Sequence, residues 1–124
     1  MVEITVKSGV LYLEVKGSHK FWAFKSRLEV PVSHIKNVRV DPNLEMGWSA
    51  KGLKVAGTGI PNVFRAGTFI IDGDKAFWDV KNKENAIVIE LRDEKYVRLV
   101  VEVEDPYFVV KEVSRAIANR PVAV

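Results

Sequence analysis

The sequence predicts a mainly β domain of about seven antiparallel strands, curved into a barrel-like sheet and plugged by one C-terminal helix. Three observations predict it. Apolar and polar residues alternate with period two along most of the first 104 residues. Short turn signals interrupt that alternation repeatedly. Only residues 105–124 carry a convincing helical pattern.

The elements follow in order. Val2, Ile4 and Val6 alternate with Glu3, Thr5 and Lys7, then Ser8-Gly9 supplies a turn. Leu11, Leu13 and Val15 resume the alternation, so residues 2–16 read as a hairpin. Gly17-Ser18-His19 breaks it, and the aromatic run Phe21-Trp22-Ala23-Phe24 follows. Residues 27–32 alternate again, with Pro31 marking an edge or an end because it has no amide for a ladder. A one-turn helix at residues 32–35 and a strand at 35–40 come next. Residues 41–62 are the least regular stretch, rich in Gly and Pro, with only residues 53–55 as a weak strand.

The second half is cleaner. Residues 63–71 form a strand with Gly67 inside it, Asp72-Gly73-Asp74 is a hairpin turn, and residues 75–81 return. Residues 86–92 are almost continuously apolar, which predicts a central strand. Residues 96–104 form the last strand. Asp105 is placed to cap the helix, Pro106 suits its first position, and Val109, Val113, Ala116 and Ile117 share one face. Lys111, Glu112 and Arg115 face away, Asn119 closes the last turn and Pro121 stops continuation. Such strands make an up-and-down sheet, and full closure would remove its edges.

At 124 residues the chain is one domain, residues 1–124, with a core of its own. A net charge of +3 permits a basic patch without demanding one, and no Lys/Arg cluster leads us to expect nucleic acid. The absence of cysteine excludes disulfides and thiolate chemistry, and two histidines argue against a transition-metal site. No cofactor is expected. No stretch approaches the ~20 apolar residues of a membrane span, and the N-terminus lacks a signal-peptide apolar core, so a cytoplasmic location is the expectation.

Two stretches resemble bacterial domains of the pleckstrin-homology (PH)-like superfamily. The first is Lys25-Ser26-Arg27-Leu28-Glu29-Val30-Pro31-Val32-Ser33-His34-Ile35-Lys36-Asn37-Val38. The second is Phe64-Arg65-Ala66-Gly67-Thr68-Phe69, a hairpin, Ala86-Ile87-Val88-Ile89-Glu90-Leu91, and Val103-Glu104-Asp105-Pro106 opening the helix. The resemblance implies a curved barrel of two near-orthogonal sheets plugged by the helix, and a binding or scaffolding module rather than an enzyme. Lipid-binding members carry a Lys, a loop, then Lys/Arg-x-Arg. Lys16, the loop at residues 17–19, Lys25 and Arg27 offer that pattern, interrupted by the insertion at residues 20–24, and these cations together with Lys20 would pair with phosphate oxygens of an anionic lipid or ligand. The same residues are also ordinary solvated side chains of a strand's outer face.

Gly57-Thr58-Gly59 lacks the rest of any nucleotide-binding loop, and Asp72, Asp74 and Asp79 lack the further ligands of a calcium loop. His19 and His34 would act as acid or base only if folding supplied a partner. The aromatics exceed what a small core needs. Trp22 and Trp48 are the candidates for a protein-partner or self-association surface, unless the long loop folds over them.

Overall fold

The computed structural model describes residues 2–15, 27–41, 53–60, 64–71 and 73–119; within residues 53–71, Thr68 alone is described with its side chain. Among these residues the chain is mainly strand, with one C-terminal α-helix. Nine strands are present: β1 Val2–Lys7, β2 Val10–Val15, β3 Arg27–Pro31, β4 Ile35–Val40, β5 Leu53–Ile60, β6 Phe64–Ile71, β7 Asp74–Val80, β8 Ala86–Leu91 and β9 Arg98–Glu102. The helix, α1, runs Pro106–Ala118.

The mainly β class, the single C-terminal helix and the two sheets that the resemblance implies are as expected, and three details of the up-and-down barrel differ. The described strands form two sheets and no closed barrel: one in the order β1-β2-β3 and one in the order β4-β8-β9-β7-β6-β5. The change of sheet falls at Pro31, where β3 ends against Val10 and the one-turn helix Val32–His34 turns the chain into β4. Proline's missing amide ends the ladder there. Second, β9 enters between β7 and β8, so β7 and β9 run parallel while every other pair is antiparallel. Third, β5 extends to Ile60, well beyond the weak strand expected at residues 53–55. Gly57 and Gly59 do not break it, because β6 pairs with it along its length and sets Gly67 opposite Gly57.

The insertion of β9 forces residues 81–85 to cross its end. Glu102 fixes that crossing. The residue is 6 % exposed and its Oε1 accepts hydrogen bonds from the Lys81 amide (2.9 Å) and the Asn82 amide (3.0 Å). The Val103 amide adds a bond to the Asn85 carbonyl (3.1 Å).

Alternation then decides what is buried. Phe77, Ile87, Ile89, Leu91, Leu99, Val101 and Val103 face Leu11, Leu13, Val15 and Val30 of the small sheet, and Val113 of α1 completes the same core. The other parity of the large sheet buries Ala76, Trp78, Val80, Ala86, Val88 and Val100 in a second cluster. The central strands are therefore apolar on both faces, as the unbroken run in β8 leads one to expect. Asp79 is fully buried on β7 and is not without partners. Tyr96 packs on Phe77 with ring centroids 5.8 Å apart, and its hydroxyl lies 3.2 Å from Thr68 Oγ1.

The helix forms as its sequence dictates. Asp105 Oδ1 accepts from the Phe108 amide at 3.1 Å, Pro106 occupies the first turn, and the Asn119 amide reaches Arg115 at 3.0 Å. Pro121 lies outside the described residues. Val113 is fully buried, and Val109, Val110, Ala116 and Ile117 pack half-buried against the core. The helix lies chiefly against β4 and reaches across to β1, so it bridges the edge strands of the two sheets.

Candidate interaction surface

Ser8 and Gly9 both have positive φ, 53° and 77°, which makes the β1–β2 connection a two-residue turn of the type that matches strand twist. Such a turn closes on a hydrogen-bonded pair, here Lys7 with Val10. Bonding then alternates, so the backbone groups of Glu3, Thr5 and Lys7 face β2. Those of Ile4 and Val6 face the opposite way. Among the described strands β1 is an edge, and no backbone hydrogen bond from a described residue reaches Ile4 or Val6 from that side.

Beside this edge lies a groove made with α1. Val2, Glu3, Ile4, Val103, Glu104, Asp105, Phe108 and Val109 line its wider part, of about 520 Å³. It narrows to about 210 Å³ between Ile4, Thr5, Val6 and Phe108, Val109, Glu112, Val113. Phe108 borders both parts while 58 % exposed, and its neighbour Tyr107 is 70 % exposed. The floor is apolar and the rim is acidic at the Glu3–Asp105 end. Lys7, exposed on β1, marks the opposite end.

The sequence-predicted site residues fall differently. Lys16, Lys20, Lys25, Trp22 and Trp48 lie outside the described residues. Arg27 is exposed on the outer face of the small sheet, its guanidinium 4.9 Å from the Tyr12 ring centroid and its Nε 3.9 Å from Glu29. Glu3, Thr5, Lys7, Tyr12, Glu14 and Arg27 share one shallow hollow there, so the cation's neighbours include carboxylates. Folding does supply a partner for His34. Its Nδ1 lies 2.5 Å from Glu94 Oε2, sixty residues away in sequence, and its carbonyl accepts from the Arg92 amide at 2.8 Å. Both contacts fasten the turn after β8 to the one-turn helix. His19 and Asp72 are not described, and Asp74 and Asp79 stand at opposite ends of β7, one exposed and one buried. Among the described residues no cluster of three or more His, Cys, Asp or Glu is placed to hold a metal. Among them, too, no helix is long and apolar enough to cross a membrane.

Phe108 is among the aromatics that exceed a small core's needs, but sequence reasoning does not single it out. The signal was present, because Phe108, Lys111, Glu112 and Arg115 recur at the spacing of one helix face. A face with three charged residues faces solvent, and the aromatic on it goes with them.

No curated protein and no solved structure matches the chain. A family model described as a bacterial PH domain matches residues 7–113. That span begins in the hairpin that carries the open edge and ends at Val113, the buried anchor of α1. It takes in β2 to β9 and the helix as far as Val113, leaving Val2–Val6 of β1 outside, and the chain belongs to the bacterial PH domain family.

Proposed function

We propose that this chain is a non-catalytic binding module that holds a protein partner by strand addition along β1. The observation that supports this reading is the outward-facing backbone of Ile4 and Val6 beside a groove bordered by an exposed Phe108. An added strand gains main-chain hydrogen bonds from the edge, and its alternate side chains meet Phe108 and Val109 on the groove side. Exposed aromatics of this kind supply contact area at low entropic cost.

The test uses a displayed library of random 12-residue peptides, selected on the full chain. Selected peptides should shift the amide resonances of residues 2–7 and 106–112, and Phe108→Ser should weaken them about tenfold or more without lowering the melting temperature. Peptides whose shifts map elsewhere, or whose binding ignores Phe108→Ser, would count against the groove as the binding face.

A further inference from the structure

Within β1 the segment Glu3-Ile4-Thr5-Val6-Lys7 has the side chains of Glu3, Thr5 and Lys7 exposed on the outer face of the sheet. Ile4 and Val6 turn inward against the core, and their backbone groups point off the edge. Reversed about Thr5, this segment places an acid opposite a base at both ends.

We infer that the occupant of the β1 edge is a second copy of this chain, paired antiparallel with Thr5 opposite Thr5. The inference rests on β1 being the docking edge. In this register Ile4 of one copy and Val6 of the other exchange both backbone hydrogen bonds, which is the pair type their outward groups require. Glu3 then faces Lys7 of the second copy on the same sheet face, twice, by the two-fold symmetry. Lys7 of the second copy also arrives at the end of the groove that carries Glu104 and Asp105. A shift of this register by two residues in either direction loses both acid–base pairs. The two small sheets become one six-stranded sheet in the order β3-β2-β1-β1-β2-β3, and Phe108 of each copy borders the seam.

Sedimentation equilibrium of the full chain tests this, from about 1 μM to about 1 mM. The wild-type chain should pass from monomer to dimer in that range. Glu3→Lys and Lys7→Glu, each on the exposed face, should each weaken the dimer about tenfold or more, because each sets two like charges opposite each other. An equimolar mixture of the two variants should form a heterodimer of wild-type strength, and the double variant should self-associate again. Circular dichroism melts confirm that each variant is folded. A dimer indifferent to both substitutions, or a mixture that stays monomeric, overturns the register. A wild-type chain that stays monomeric throughout overturns the second copy as occupant; peptides that still map to the groove in the library experiment would then leave the docking edge itself standing.

Discussion

Replacing Glu102 with alanine removes the carboxylate that accepts two amides of the crossing between β7 and β8. Oε1 accepts two amides, from Lys81 and Asn82, at 2.9 and 3.0 Å. A hydrogen bond to a charged group contributes about 1.5–3 kcal/mol, so two lost together would cost about 3–6 kcal/mol. Lys81 and Asn82 are themselves exposed, and water reaches the freed amides, which brings the expected loss to about 2–4 kcal/mol. Glu102→Gln keeps a carbonyl oxygen at the same reach and should cost about 1 kcal/mol. Equilibrium urea unfolding measures both. With a slope of about 2 kcal/mol/M, the alanine variant should lose about 1–2 M of midpoint with the slope unchanged. An alanine variant within about 0.5 kcal/mol of the wild type would refute the clamp, because that is the effect of a surface substitution touching nothing. A glutamine variant as damaged as the alanine variant would refute the assignment of the role to one accepting oxygen.

Other outcomes follow from the helix and the small sheet. Val113→Ala should destabilise by about 2–3 kcal/mol in the same urea assay, two buried carbons plus the space they leave, and Ile117→Ala by about 1–2 kcal/mol because it is only half-buried. Equal losses would mean the helix docks on a different face. Asp105→Ala should cost about 0.5–2 kcal/mol through the lost bond to the Phe108 amide, read by thermal melting. Arg27→Ala should leave co-sedimentation with anionic vesicles unchanged, since Arg27 shares its hollow with Glu3 and Glu14 and lies near Glu29; a clear loss would show that the outer face of the small sheet meets phosphate after all.

Much of this architecture is written in local residues. Ser8-Gly9 between two alternating runs names a hairpin, Asp72-Gly73 names another, and Asp105-Pro106 opens the helix where the sequence says it does. Alternation, however, assigns a residue to a face and not a strand to a neighbour. The parallel contact between β7 and β9 therefore left no trace in the pattern. Glu102 shows the consequence. At a polar position of an alternating strand it reads as solvated, and only the chain crossing overhead buries it and gives it two donors. His34 and Glu94 are a second case, sixty residues apart and joined only once β4 and β8 pair. Gly57 and Gly59 fall in what reads as the least regular stretch, because glycine weakens an isolated strand, yet a paired ladder on β6 outweighs that preference. For the candidate site, the strand and its outward charges were legible, and so was the solvent face of the helix. That β1 is an edge, and that Phe108 stands beside it, follows from the assembled sheets alone.

Amide exchange along β1 tests the central claim most directly. In the dilute chain the amides of Ile4 and Val6 should exchange quickly, while those of Thr5 and Lys7 stay protected by β2; raising the concentration should slow Ile4 and Val6 selectively. Ile4 and Val6 as protected as Thr5 at the lowest concentration would mean the edge is already covered within one chain, contradicting both the groove as a docking face and the paired copies built on it.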